Sequence, residues 1–516
     1  MIPYEKFPGL APLFHDFRRG LPEFYPDPPT LEAAAERGRQ LLESGARARF
    51  PANAFRGRGA ETSRLARALS EGRAVAVGTG HQVGLFTGPL FTLIKALDAI
   101  HFARELTHRG VPAAPVFWAL TDDHDLQEIA RTARPTPEGP QILVLEGADR
   151  QNRRPVGPLP IPEGIRGIVD AFRPDVRDAG GEEVLRAFAA RSAPGTPYGN
   201  AFVETLLDLV DPDPLLVLDP LTAELRGPTA SFFLEAVKRE ADLRATLLET
   251  EEKLRRAGKA LPASLPEGFS FFLIDGEGRR RVEDPGNAAA RVESGEAWPS
   301  ADVLTRPVLK SYLFPMAASV LGAGEIAYHA QSLPLFSVFG VTPPVLIPRT
   351  HVVLRGPAER RLAQQLGLDE SDLFSPRSDR DARRVPEAEE VERLARDAEG
   401  ALEAVRGSLE ALEGTLGGAV DTARRKIAYQ FEQLAERARK AAERKEGVAA
   451  NRAARLEHAL LPDGVLAERL YPPLVPMLAW GREPVGAALR EAVARREGGA
   501  AVVDLGLAQE QEAHAG

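Results

Sequence analysis

The chain of 516 residues contains no cysteine, which excludes disulfides, thiolate metal sites and a protein thiol as nucleophile, and leaves oxygen and nitrogen groups to do any chemistry. Long hydrophobic runs are also missing: Pro, Gly or a charged residue interrupts every apolar stretch within about a dozen residues, where a membrane span takes about 20. The opening MIPYEKFPGL has no basic-then-apolar leader, so a cytoplasmic protein is expected. Positive charge is not in excess, since 65 Lys and Arg stand against 74 Asp and Glu for a net charge of −9. That balance argues against general nucleic-acid binding, which needs a basic face. No HExxH spacing marks a zinc site, no GxSxG marks a Ser–His–Asp hydrolase, and the glycine-rich segments fit neither a Walker loop nor GxGxxG.

What is present points to an α/β core. The length exceeds what one hydrophobic core usually serves, so a large domain plus a separate element is expected. Residues 1–70 mix Pro-rich extended stretches with a helical pattern from Leu31 to Ser44. AVAVGTG then reads as a strand, Leu90, Leu93, Ile94, Leu97 and Ile100 fall at helical spacing, and VPAAPVFWAL reads as a second strand. Strand, helix, strand makes a βαβ unit and predicts a parallel, Rossmann-like sheet. LLVLDP at 215–220 and PPVLIPR at 343–349 are further candidate strands. The Pro-, Gly- and charge-rich regions 135–195 and 260–300 read as insertions leaving a core of 1–380.

Residues 381–462 have a different character. Val391, Leu394, Ala398, Leu402, Val405, Leu409 and Leu412 keep a 3,4 spacing that resumes with Ile427, Phe431, Leu434, Ala438, Ala441 and Val448, predicting an antiparallel coiled-coil hairpin. Gly414, Gly417 and Gly418 would each cost a helix about 1 kcal/mol, which places the reversal there with Asp421 as N-cap. Pro386 suits a first helical position. Nine acids against three arginines in 386–413 face ten Lys or Arg against six acids in 421–460, so the arms should attract. Apolar residues left over at Leu416, Val420, Tyr429 and Phe431 predict a homodimer that uses the hairpin. Residues 463–516 are expected to pack near the core.

Ligands of open parallel sheets bind beyond the carboxyl ends of the strands, which selects GTGHQVGLFTGP and TDDHD as candidate site loops. Gly80, Gly84 and Gly88 would let backbone N–H groups approach an anion, with Gln82, Thr87, a His81 able to become cationic, and a Lys95 able to reach back if the loop folds over as side-chain contacts; the alternative is a turn whose glycines serve only packing. Asp123, His124 and Asp125, next to Asp122, crowd carboxylates around an imidazole. Such a cluster needs a cation, a substrate amine or a proton, or else it caps a helix in solvent. A third segment embeds Arg306, Glu325, Tyr328, His329 and Arg349 among apolar residues; Glu325 would there either serve a site or cap a helix.

GTGHQVGLFTGPLFTLIKA, PVFWALTDDHDLQEI, LTRPVLKSYLFPMAASVLGAGEIAYHAQ and PPVLIPR together resemble the bacillithiol biosynthesis cysteine-adding enzymes, and the likeness extends to the coiled coil and to LLPDGVLAERLYPPLVPMLAWG. The first loop has GHQ where relatives often have GQQ. The resemblance implies a nucleotidyltransferase-like Rossmann core and a ligase that joins L-cysteine to glucosaminyl malate, with ATP, and Mg²⁺ beside it, activating the carboxylate. It implies roles for Gly80, His81, Gln82, Gly84, Thr87, Gly88 and Lys95 at phosphate or carboxylate, for Asp123, His124 and Asp125 in holding the substrate amine or acting as base, and for Arg306 or Arg349 at the malyl carboxylates, with Glu325 and Tyr328 beside them. A metal-dependent hydrolase or transferase using TDDHD, and a non-enzymatic coiled-coil scaffold, are the rival readings.

Overall fold

The computed structural model describes residues 2–7, 9–149, 151–265, 268–374, 385–446, 449–496 and 499–506; Val448 and the 380/381 boundary lie outside them. It comprises two units, Met1–Pro357 with Leu460–Gly516, and Ala358–Ala459.

The strands that frame the larger unit are β1 (Phe55–Arg56), β2 (Val75–Gln82), β3 (Ala113–Leu120), β4 (Leu216–Leu218), β5 (Phe271–Asp275), β6 (Gly278–Arg281), β7 (Trp298–Ala301), β8 (Met316–Leu321) and β9 (Val345–Pro348). Six of them form one sheet in the order β9-β8-β2-β3-β4-β1, parallel throughout except for β1. β2 and β3 pair from Val75 opposite Ala113 to Gln82 opposite Leu120, so both candidate loops leave the same edge. Helix α1 (Leu90–His108) connects them. The chain moves from β2 to β3 on one side while β8 lies on the other, which puts the topological switch point at the end of β2.

These strands read as continuous apolar runs because both faces are covered. Ala76, Ala114, Val116 and Trp118 pack on one side, whereas Val77 joins Ala99 and Phe102, and Phe117 joins Leu93 and Leu97, on the other. Full burial of a side chain such as Phe117 contributes roughly 2–3 kcal/mol. The glycine at position 80 is required by close approach, since a Cβ there would lie 2.6 Å from the Trp118 carbonyl oxygen. α1 differs from the single apolar stripe of its sequence: Lys95, Asp98 and Thr92 are buried as well, because Arg482–Ala494 covers its other face.

Region 260–300 is not an excursion. It folds as the antiparallel sheet β7-β5-β6, and Phe271, fully buried, meets the rings of Phe233 and Phe269 at centroid distances of 5.2 Å each. Successive residues of β5 point to opposite faces, so Phe271 and Leu273 enter the core while Phe272 meets the guanidinium groups of Arg279 and Arg281 on the other. Two further helices of this unit matter for the site, α2 (Arg306–Leu313) and α3 (Ala323–Ser332). From the C-terminal segment, Gly499–Asp504 pairs in parallel with Val352–Arg355 and antiparallel with Ile2–Pro3.

The smaller unit contains the helical hairpin, α4 (Pro386–Leu412) and α5 (Leu416–Glu446). Pro386 occupies the first turn of α4 as expected. The reversal is tighter than the glycines suggest: Gly417 and Gly418 lie inside α5, and Asp421 is not an N-cap. Gly417 instead permits close approach of the arms, since a Cβ would meet Glu410 Oε1, and Asp421 pairs with Arg406. Arg424 also pairs across the arms with Glu403 at 2.8 Å and Glu399 at 3.9 Å, and Arg439 with Glu392, which fixes the antiparallel register. Such exposed pairs are screened by solvent and set register more than they add stability. Val420 is buried, Leu416 and Phe431 are half-buried, and Tyr429 is exposed.

Candidate active site

A cavity of about 560 Å³ opens beyond the carboxyl ends of β2, β3, β8 and β9. From the sequence-selected residues, Gly80, His81, Gln82 and Lys95 line it from β2 and α1, Asp123 from the loop after β3, Arg306, Glu325 and Tyr328 from α2 and α3, and Arg349 from the end of β9. Gly84, Thr87, Gly88, His124 and Asp125 do not line it.

The glycine-rich loop is built for shape. Phe86, Thr87 and Gly88 all take positive φ, at 53°, 71° and 70°, a conformation costly for the first two and natural for glycine. Thr87 is fully buried, which removes it from the anion contact expected of it. Lys95 does reach back, but to protein: its Nζ donates to the Gly80 carbonyl at 2.5 Å and to Glu325 Oε2 at 2.7 Å. Glu325, at the third position of α3, also accepts from Gly322 N–H at 2.7 Å. It is therefore both helix cap and cavity wall, and the two readings of that residue merge. Burial pushes the Glu325 carboxyl up, but Lys95 and the Gly322 N–H outweigh it and hold the group at about 2. Burial, only partly offset by Glu325, depresses Lys95.

His81 was expected to be able to turn cationic. Burial, with Lys95 and Arg349 nearby, holds it down at about 3, so it is a neutral imidazole at physiological pH. Gln82 donates to Asp123 Oδ2 at 2.8 Å and to Glu128 at 3.1 Å, tying the two loops together. Burial raises Asp123, yet the Gln82 hydrogen bond and the charges of Arg279 and Arg306 bring it below the usual carboxylate range.

The crowded carboxylates of TDDHD separate. Asp122 accepts from Ser300 Oγ at 2.6 Å, Asp123 faces Gln82, and Asp125 caps the following turn by accepting from Glu128 N–H at 3.1 Å. Among the described residues no three His, Asp or Glu side chains are grouped to hold a metal ion. Arg279 Nη1 donates to His124 Nδ1 at 3.0 Å, and its Nε donates to Ser300 Oγ at 3.1 Å. An imidazole that accepts at Nδ1 carries its proton on Nε2. His124 is thus a donor toward its surroundings, and burial together with Arg279 lowers its pKa further, which counts against the base role expected of it.

Arg349 is buried and held by Glu468 at 2.5 Å, a residue of the short helix Ala467–Leu470 that also accepts from His351 at 2.8 Å and from Val352 N–H at 2.9 Å. Its guanidinium stands 4.9 Å from the centroid of Phe91.

Several lining residues escaped sequence reasoning: Phe272, Arg279 and Arg281 of the sheet β7-β5-β6, Lys310 of α2, Phe91, Asp302 and Arg469. The run GRRRV at 278–282 was the available signal, and it lay inside a region read as an excursion. Arg279 and Arg281 stack on Phe272 at 3.7 and 4.3 Å from its centroid, which holds both guanidinium groups in place.

Comparison with known proteins agrees with this architecture. Residues 22–350 match the family model "Bacillithiol biosynthesis BshC, N-terminal Rossmann-like domain", and residues 352–492 match "Bacillithiol biosynthesis BshC, C-terminal coiled-coil domain". A protein of Solibacter usitatus named "Putative cysteine ligase BshC" is 31% identical over 448 residues, covering 83% of each chain. One of the same name from Geobacillus thermodenitrificans is 28% identical over 434 residues, covering 78% of this chain and 79% of that one. A crystal structure of a "putative arginyl t-RNA synthetase" from Campylobacter jejuni aligns at 12% identity over 90% of this chain and 98% of its own, with a TM-score of only 0.24. With a Rossmann-like unit, a coiled-coil hairpin and the two family models matched one after the other over residues 22–350 and 352–492, the chain belongs to the BshC family of bacillithiol biosynthesis proteins.

Proposed function

We propose that the protein is a cysteine ligase that joins the carboxylate of L-cysteine to the amine of glucosaminyl malate, with ATP activating the carboxylate as an acyl-adenylate or acyl-phosphate. The observation that carries this reading is the charge of the cavity: Lys95, Arg279, Arg281, Arg306, Lys310, Arg349 and Arg469 line it against the carboxylates Asp123, Asp302 and Glu325. So cationic a wall suits a substrate with two carboxylates together with phosphates. Arg306 and Arg281 both line the cavity, where bidentate pairing would bind the malyl group. Arg349, fixed by Glu468, and Arg469 near Phe91 would face phosphate or the cysteine carboxylate. Asp123 would hold the substrate ammonium. With the TDDHD carboxylates turned to separate partners, Mg²⁺ would enter on the nucleotide phosphates, as it commonly does. Exposure of Leu394, Val405, Leu412, Tyr429 and Leu434 on the hairpin supports a two-fold homodimer through that element.

The test is purified protein with L-cysteine, glucosaminyl malate, ATP and Mg²⁺, followed by mass spectrometry. Formation of bacillithiol that depends on all three organic substrates is the expected result, and AMP against ADP identifies the activated intermediate. A complete absence of the thiol product would overturn the reading.

A further inference from the structure

Amide formation requires a free amine, so something must take a proton from the substrate ammonium, and the groups selected from sequence are spoken for. His124 Nδ1 accepts from Arg279, Asp123 accepts from Gln82 and from His124 N–H, and Glu325 is engaged by Lys95 and Gly322. Lys310 differs. It is half-buried in α2 and lines the cavity, and among the described residues its Nζ has no hydrogen-bond or ion-pair partner.

We propose that Lys310 Nζ is the proton acceptor for the substrate amine in the ligation step, an inference that rests on the ligase reading above. Glu325 and His329 face it from α3, Lys95 from α1 and Arg306 from its own helix. Burial is the larger influence on its ammonium, and with Lys95 and Arg306 nearby it outweighs Glu325 and brings the group down to about 8. An amine in that range is neutral in a useful fraction of molecules near neutrality, which is the condition for efficient general-base catalysis. His81 and Glu325, held at about 3 and about 2, are far weaker bases.

In the step itself, neutral Nζ takes one proton from the substrate R–NH₃⁺, and the freed lone pair forms the C–N bond at the carbonyl of the activated cysteine. The C–O bond to the phosphate or nucleotidyl group breaks, and that group leaves with the electron pair. The second N–H proton is lost to the leaving phosphate oxygen or to water as the amide forms. The Lys310 ammonium returns its proton to solvent through the open cavity.

The experiment compares wild type with Lys310→Arg, Lys310→Gln and Lys310→Ala in the ligation assay across pH 6–10, with thermal unfolding recorded for each. Arginine keeps the charge and cannot accept a proton; glutamine keeps the bulk without the charge. The expected result is a kcat about 100-fold lower in all three, since general-base loss costs roughly 10²–10⁴. KM should change far less in Lys310→Arg, and the acid limb that raises the wild-type rate through about pH 8 should disappear. A folded Lys310→Arg protein that keeps a third or more of wild-type kcat overturns the proposal and makes Lys310 an anion-binding residue. A Lys310→Gln or Lys310→Ala protein that keeps the acid limb overturns it too. A wild-type protein that ligates nothing overturns the ligase reading and this step with it, so the two failures are distinguishable.

Discussion

Replacing Glu325 by glutamine removes the charge facing the buried ammonium of Lys95 and leaves the geometry nearly intact. Lys95 is 1% exposed and Glu325 30% exposed through the cavity, so the pair is shielded on one side and partly hydrated on the other. Removing one partner of a fully buried ion pair costs about 3–5 kcal/mol, chiefly because the remaining charge is stranded. Hydration of Glu325 discounts that figure, and the expected loss for Glu325→Gln is about 2–3 kcal/mol. Removing both charges, in Lys95→Met with Glu325→Gln, should cost less than the sum of the single changes, because the desolvation of Lys95 is then relieved. Urea unfolding followed by tryptophan fluorescence reads the right unit, since Trp118, Trp298 and Trp480 all belong to the larger one. The sign of the pH dependence is also set. With its folded value at about 2 against an ordinary 4.5, Glu325 contributes stability that is complete above about pH 4.5 and lost as pH falls toward 2. A Glu325→Gln protein within about 0.5 kcal/mol of wild type, or a double variant as unstable as the sum, would refute the reasoning.

Asp123→Ala and Arg279→Gln should each lower turnover at least about tenfold without unfolding the protein, the first by losing the ammonium contact and the second by releasing His124 and Ser300; steady-state ligation kinetics beside circular dichroism checks both, and wild-type rates would return the TDDHD loop to helix capping. His81 should stay neutral between pH 5 and 8 in a histidine NMR titration. Because its folded value is about 3 against 6.5, the unfolded chain takes up a proton there that the fold refuses, and stability falls as pH drops from about 6.5 toward 3; a midpoint above 5 would contradict the burial argument. Sedimentation of the full chain should show a dimer, and deletion of 414–435 should weaken it; a monomeric full chain, or a truncated one that dimerises equally well, removes the hairpin from the contact.

Periodicity and strand-end logic located the parallel sheet, the hairpin and one face of the cavity, because these are local properties: apolar runs buried on both faces, a 3,4 repeat, and loops that must leave a parallel sheet at one edge. The parallel pairing of AVAVG with PVFWAL, and the placement of His81 and Asp123 at the same edge of the sheet, followed from those rules alone. Roles within the site did not. Lys95, Gln82 and His124 are the polar residues expected there, yet each is turned to a protein partner 41 to 230 positions away in sequence, as in Gln82–Asp123 and Lys95–Glu325, and only packing decides such pairings. Arg279 and Lys310 were invisible for a related reason. One sits in a segment whose composition resembles a loop but whose alternate residues build a core sheet, and the other is one of several polar residues in the helix RPVLKSYL. Whether the amine of such a lysine meets a carboxylate or an open cavity is settled by the neighbours that the tertiary fold brings to it.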